Sequence, residues 1–284
     1  MFDYNKAFSR NIGWVTQAEQ DVLATKCVAC AGCGGVGGEH LLTMARLGIQ
    51  KFKIADFDDF EVHNFNRQSG AQMSTLGQDK AQVMANMIKD INPNAEVEIF
   101  SEGVTEENLD SFLKGVDLYI DGLDFFVLAI RRKVFAVCSA LGIPAVTAAP
   151  LGMGTAFLCF MPGKMSFEDY FCLEGKDENE QYVRFLVGLS PALLQRPYLA
   201  DPSTADFYAK KGPSTVMAVK LCAGVLGTYV LKILLGRGQV LAAPWGMHFD
   251  AYRNKFVKTW RPFGNRGLRQ RFLIAVAKKI VLKD

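Results

Sequence analysis

Histidine is scarce: His40, His63 and His248 are the three among 284 residues, and no two share a metal-ligand spacing. A histidine-based metal centre is therefore not expected. A second C-x-x-C pair is also missing. The one group of close thiols, Cys27, Cys30 and Cys33, begins inside "KCVACAG", which reads as a buried strand. Alternate residues of a strand face opposite ways, so Cys27 and Cys30 point apart and neither zinc nor an iron–sulfur cluster is expected there. The start, "MFDYNKAFSR", has no apolar core, so no secretory signal is read. Seven cysteines, an odd number, then point to free thiols in a reducing cytoplasm. Charge of one sign is not in excess either. Charged residues make up 21% and the net charge is +3, which excludes a nucleic-acid polycation and gives no reason to expect a DNA partner. Long apolar runs are few. The longest, Val216 to Gly236, could reach across a bilayer by length. Lys220 and Lys232 interrupt it, and a lysine at mid-bilayer is costly, so we read a buried helix and no membrane span. Repeats and low-complexity tracts are absent.

What the chain does have is a hydrophobic half, enough for one large core or two modest ones. Residues 1–25 form a polar and aromatic lead-in. A nucleotide-binding core is expected over 26–164. There, strands at "CVACA", "KFKIADFD", "EVEIF", "VDLYIDG" and "PAVTAAP" alternate with helices that start near Gly38, Leu76 and Val127. Val83, Met84, Met87, Ile88 and Ile91 share one helical face before Pro93. This rhythm predicts an α/β fold, a Rossmann-like and mostly parallel sheet flanked by helices. "GTAFLCF" adds a strand. Residues 165–211 carry charge runs, three prolines and no steady period. They are expected as an irregular, substrate-facing insert. Residues 212–260 hold the buried helix and a β-hairpin, "MHFDAY" and "KFVKTW". The tail, 261–284, has seven basic residues and one acid. It predicts a basic amphipathic helix with Phe272, Leu273, Val276, Ile280 and Val281 on one side. That helix either packs on its own domain, the reading we favour, or lies on an anionic membrane.

The candidate chemistry sits after the first strand. "AGCGGVGGEH" places Gly32, Gly34 and Gly37 in a G-x-G-x-x-G pattern, with Gly35 in the same turn, between a strand and a helix. Backbone N–H groups at such a helix start can hold phosphate. Asp56 ends the second strand where an acid meets ribose hydroxyls, and Asp58 follows it. These features alone fit NAD or FAD as well as ATP. Arg67 and Lys80 tilt the balance toward a triphosphate, since charge builds up as pyrophosphate departs. Asp124, after the fourth strand, is a candidate Mg²⁺ ligand or, alternatively, a helix N-cap.

With these residues in view, the sequence resembles the ThiF/MoeB/ubiquitin-activating (E1-like) adenylyltransferases. The resemblance covers Tyr4 to Phe160 and Gly212 to Asp250. It rests on "GCGGVG", on "DFDDFEVHNFNRQ" for D-x-D-x-V-x-x-x-N-x-x-R-Q, on "GQDKA" and on the Asp121/Asp124 pair. It implies that Asp56 holds the ATP ribose, that Asn64, Arg67 and Lys80 contact phosphates, and that Asp124 binds Mg²⁺. Arg10, in "SRNIG", aligns with an arginine that reaches into the partner subunit's site, which implies a homodimer; otherwise it is a solvated surface residue. The implied reaction joins a C-terminal carboxylate of a small carrier protein or peptide to the α-phosphate of ATP. It needs positioning and charge stabilisation but no protein nucleophile.

Three departures stand out. Phe125 follows Asp124 where the family has Asn or Ser. The family's zinc C-x-x-C pairs are missing. No cysteine has a clear thioester context, although Cys172, in "DYFCLEG", is either a transfer thiol or packing. Competing readings are a dehydratase-type relative acting on a small molecule or a modified tRNA base, a non-catalytic carrier-binding subunit, and a nicotinamide dehydrogenase.

Overall fold

Among the described residues, eight strands form one sheet. They are β1 (Cys27–Ala31), β2 (Lys51–Ala55), β3 (Glu96–Phe100), β4 (Leu118–Asp121), β5 (Ala145–Leu151), β6 (Gly154–Phe160), β7 (Trp245–Asp250) and β8 (Lys255–Trp260). The structure, a computed structural model, describes residues 1–190, 192–204 and 209–281. Strand order is β3-β2-β1-β4-β5-β6-β7-β8, parallel from β3 to β5 and antiparallel from there to β8. The order reverses between β1 and β4, and in such sheets the ligand crevice opens beyond the carboxyl ends of the strands at the reversal. β1 is buried along nearly all its length, as an inner parallel strand must be, which is why "CVACA" carries no polar alternation. Cys27 and Cys30 fall on opposite faces of it.

The helices are α1 (Tyr4–Ala7), α2 (Gln17–Thr25), α3 (Gly35–Arg46), α4 (Lys80–Ile91), α5 (Leu109–Leu113), α6 (Leu128–Leu141), α7 (Phe167–Phe171), α8 (Glu178–Leu189), α9 (Val216–Leu234) and α10 (Leu268–Val281). One face of the sheet packs under α3, α4 and α9, around Val28, Ile54, Met84, Val146 and Leu226. The other packs under α5 to α8 around a dense aromatic group that includes Tyr119, Phe135, Phe160, Phe171 and Phe185. Each such ring, fully buried, contributes on the order of 2 kcal/mol. The long apolar helix α9 lies against α3, β5 and β6, buried through Cys222, Leu226 and Tyr229. Its two lysines stay outside the core: Lys220 pairs with Glu39, and Lys232 lies over the ring of Tyr229. The lead-in is tied to the far end of α3. Gln20 Nε2 donates to Leu47 O (2.8 Å) and the Tyr4 hydroxyl to Gly48 O (2.7 Å).

Two expectations need correction. The insert is irregular only in part, because among the described residues it forms α7 and α8. Helix α8 is capped by Asp177, which accepts the N–H of Glu180, and it buries Tyr182, Val183, Phe185, Val187 and Leu189. Those residues serve two neighbours, the aromatic layer on one side and α10 on the other, so no single stripe marked the helix in the sequence. The apolar side of α10 is also turned from its expected direction. Leu273, Ile274 and Ala277 meet Val183 and Val187 of α8, and Lys278 pairs with Glu180 at 2.6 Å. Phe272 and Ile280 face solvent. Apolar residues lie on more than one side of this helix, and the position of α8 selects among them. The Val281 side chain and residues 282–284 lie outside the described residues.

His40 in α3 and His248 in β7 are fully buried. Neither ring nitrogen of His40 has a hydrogen-bond partner among the described residues. Burial pushes His40 down to about 3, and it pushes His248 down to about 4 against the opposing charge of Asp250. An unfolded histidine titrates at about 6.5. From there down to the folded values, the unfolded chain binds protons that the folded chain does not. Stability is therefore complete above that unfolded value and declines as pH falls, by up to about 1.4 kcal/mol per pH unit for each histidine. Unfolding measured by circular dichroism across this range should show the decline. The slope should become shallower in His248→Gln.

Candidate active site

The first βα turn is built by backbone contact. Gly32 has φ of +89°, a left-handed conformation that favours glycine, and its N–H donates to Ala55 O at 2.7 Å. A Cβ on Gly32 would collide with the carbonyl of Gly122, and a Cβ on Gly37 would collide with the carbonyl of Gly32. The turns after β1 and β4 are thereby pressed together. Gly34 precedes the first residue of α3, and no side chain caps that helix. Its leading N–H groups and the positive end of its dipole face the crevice, the arrangement that binds anions. Gly35 lies at the same helix start, between Val219 and Arg67.

The acidic and basic residues close around this turn. Asp56 accepts the N–H of Cys33 at 2.6 Å and that of Asp58 at 2.9 Å, so its carboxylate is fixed beside the glycines. Burial raises its pKa above the ordinary carboxylate value, against those two hydrogen bonds and the charge of Lys80. Lys80 opens α4 and is buried, with its Nζ 2.8 Å from Asp58 Oδ2. A buried ammonium needs such a partner, and Asp58 remains half open to solvent at 53%. Asn64 is buried. Its Oδ1 takes the N–H of Glu61, and its carbonyl takes those of Arg67 and Gln68. It therefore shapes the turn that carries Arg67.

Arg67 lays its stem on Gly35 and donates from Nη1 to His63 O (3.1 Å) and Asn66 Oδ1 (2.8 Å). No salt bridge among the described residues engages it, so its charge stays uncompensated beside the open helix start. Gln68, absent from the sequence-predicted set, is buried against Gly34 with its Oε1 unpartnered. It stands within the quoted N-x-x-R-Q stretch, which was the available signal.

Asp124 is exposed at the carboxyl side of β4, with Oδ1 accepting the N–H of Phe126 at 3.0 Å. It is not the cap of α6, whose N-cap position is Val127. Among the described residues no three His, Cys, Asp or Glu gather into a metal cage. A lone open carboxylate suits Mg²⁺, which commonly takes one or two carboxylates and completes its shell with phosphate and water. The donor set therefore fits a metal brought in on a nucleotide.

Two predicted residues stand apart. Arg10 lies beside Arg46, near the end of α3 opposite the glycine turn, in a shallow cleft that also includes Asp90 and Ile91. A 12-residue helix separates the two ends, about 18 Å. Arg10 therefore does not join the site of its own chain. Cys172 caps α7 in a left-handed conformation and its thiol donates to Asp169 O at 3.3 Å. Burial raises its pKa, so it is not a poised thiolate. A second residue missing from the sequence reading is Arg131, buried on the inner face of α6 and paired with Asp121. Its signal was a charge on the helix face shared by Leu128, Val134, Phe135 and Cys138.

Comparison with known proteins adds a family. The ThiF family profile matches residues 8–266. A tRNA threonylcarbamoyladenosine dehydratase of Bacillus subtilis is 34% identical over 141 residues, 49% of this chain and 55% of that protein. The sulfur carrier protein ThiS adenylyltransferase of Escherichia coli is 28% identical over 121 residues, 43% of this chain and 47% of that protein. The chain thus spans about half the length of the curated relatives it matches. Among solved structures, Escherichia coli MccB with MccA-N7isoASN superposes with a TM-score of 0.71, at 16% identity, over 95% of this chain and 75% of that one. The Escherichia coli tRNA N6-threonylcarbamoyladenosine dehydratase gives 0.61 at 21%, over 82% and 95%. These likenesses show a shared fold, and the profile match across most of the length settles kinship: the chain belongs to the ThiF family.

Proposed function

We propose that the chain is an ATP- and Mg²⁺-dependent adenylyltransferase that activates a carboxylate, that of a peptide or small carrier protein, as an acyl-adenylate. One observation carries the reading: the uncompensated Arg67 and the buried Lys80 flank an uncapped helix start between Asp56 and Asp124. A dinucleotide needs little of this charge. An α-phosphorus under attack needs it, because negative charge moves onto the departing pyrophosphate. In this reading the N–H groups at Gly34 and Gly35 hold phosphate, and Asp56 holds the ribose. Arg67 grips phosphate oxygens with two parallel donors, while Lys80 acts as a point charge. The substrate carboxylate oxygen attacks the α-phosphorus and the bond to the bridging oxygen breaks. Mg²⁺ bound at Asp124 would neutralise charge on the leaving pyrophosphate. Arg10, remote from its own turn, acts in the site of a second copy, which makes the working unit a homodimer. Seven free thiols suit a reducing cytoplasm.

Two solved neighbours support the choice of ATP and peptide, since MccB has been solved with ATP and with MccA. A second reading has its own support. Relatives at 34–36% identity are named as tRNA dehydratases, and in that version the adenylated group belongs to a modified base.

ATP–pyrophosphate exchange tests the first reading. Lys80→Ala and Arg67→Ala should each lower exchange by about a hundredfold or more, with Arg67→Lys in between. Equal exchange in all four proteins would remove the assignment. Cys172→Ser should keep exchange within about twofold of wild type, since adenylation needs no protein nucleophile. Thiol transfer follows adenylation and is read separately: a hydroxylamine-sensitive acyl adduct on the protein that is lost in Cys172→Ser would restore the transfer role. Mobility shifts with tRNA, scanned across salt, decide between the readings. Tight binding with a steep salt slope favours the tRNA version, whereas exchange stimulated by peptides without such binding favours the first.

A further inference from the structure

Asp124 is held from beneath. Arg131 projects from α6 into the loop that follows β4, and its side chain is 3% exposed. Nε lies 3.0 and 3.2 Å from the two Asp121 carboxylate oxygens. Nη1 donates to Phe125 O and Val127 O, both at 3.3 Å. Nη2 donates to Leu123 O at 2.6 Å and to Asp124 O at 2.9 Å. A guanidinium has five N–H donors in one rigid plane, and this one spends them all on the end of β4 and the loop that follows it. Lysine could not span four carbonyls and a carboxylate from one ammonium.

The same loop is gripped from the side by the insert. Phe185 of α8 stands 4.9 Å under the Arg131 guanidinium and 5.2 Å from Phe125. Tyr182 of α8 lies 5.1 Å from Phe126 and 6.4 Å from Phe125. Phe125 occupies the position after Asp124 where the family resemblance implies Asn or Ser. Its ring packs against Tyr182 and Phe185 of α8, so this position and the insert are in direct contact.

We propose that Arg131 is a positioning residue for adenylation, and that Phe185 of the insert, by packing on Arg131 and Phe125, sets how firmly Asp124 is presented to the metal on the nucleotide. This rests on the reading of Asp124 as the Mg²⁺ ligand. The insert thereby becomes part of the metal site's support, not only a wall for substrate. Groups that orient a metal ligand without touching the metal commonly change metal affinity by about 10- to 100-fold when replaced.

The test uses the full chain with a non-hydrolysable ATP analogue and Mn²⁺ as the metal. Bound Mn²⁺ is read by electron paramagnetic resonance, metal-free analogue binding by calorimetry, and folding by thermal unfolding. Arg131→Lys should weaken Mn²⁺ binding by about tenfold or more, and Phe185→Leu should weaken it in the same direction by less. Both should bind the analogue without metal as wild type does. If Asp124→Asn weakens Mn²⁺ binding while both other folded variants bind it normally, the positioning role is wrong. If Asp124→Asn itself binds Mn²⁺ normally, the underlying ligand assignment is wrong. Should Arg131→Lys not fold, Phe185→Leu decides alone: weakened Mn²⁺ binding supports the proposal and normal binding overturns it.

Discussion

Backbone meets backbone at Gly32, Gly37 and Gly122, with no room for a side chain at any of the three. That approach brings the turn after β1 against the turn after β4, and it aims the open start of α3 between them. Without it Asp56 would lose the Cys33 N–H that fixes its carboxylate, and the loop carrying Asp124 would lose its neighbour. Packing on both faces of the sheet serves this junction. Helix α9 reaches the edge of the site through Val219, which packs near Gly35, while α6 supplies Arg131 from the other face.

The charge pattern around the junction is uneven in an informative way. Lys80 is buried and already paired with Asp58, so it is fixed before any ligand arrives. Arg67 is half-buried and bonded only to neutral oxygens, so no opposite charge offsets its own. Gln68 keeps a buried acceptor unpartnered against Gly34, and a buried acceptor left that way costs about 1–3 kcal/mol. A site that holds such groups in place without mutual cancellation is preorganised for an anionic ligand, and reorganisation at the moment of reaction is small.

Much of this was legible because it depends on local pattern. Runs such as "CVACA" and the face of Val83, Met84 and Ile88 specify buried strands and a one-sided helix whatever surrounds them, and the glycine turn needs residues without side chains at fixed offsets. Other features depend on which distant elements meet. Helix α8 is buried on two sides, so its sequence shows no single stripe. Helix α10 has more than one apolar side, and only α8 decides which is covered. Nothing local marks the partners of Arg131, because they lie at the end of β4 and in the loop after it. The remoteness of Arg10 follows from where the lead-in docks on α3, through Gln20 and Tyr4, which no motif encodes.

The claim beneath the rest is that this junction takes a metal-bound triphosphate and not a dinucleotide. Titration calorimetry of the intact chain with ATP plus Mg²⁺, and separately with NAD⁺, tests it most directly. The account predicts saturable, metal-dependent heat with ATP and none with NAD⁺. Tight NAD⁺ binding with no response to ATP would contradict it.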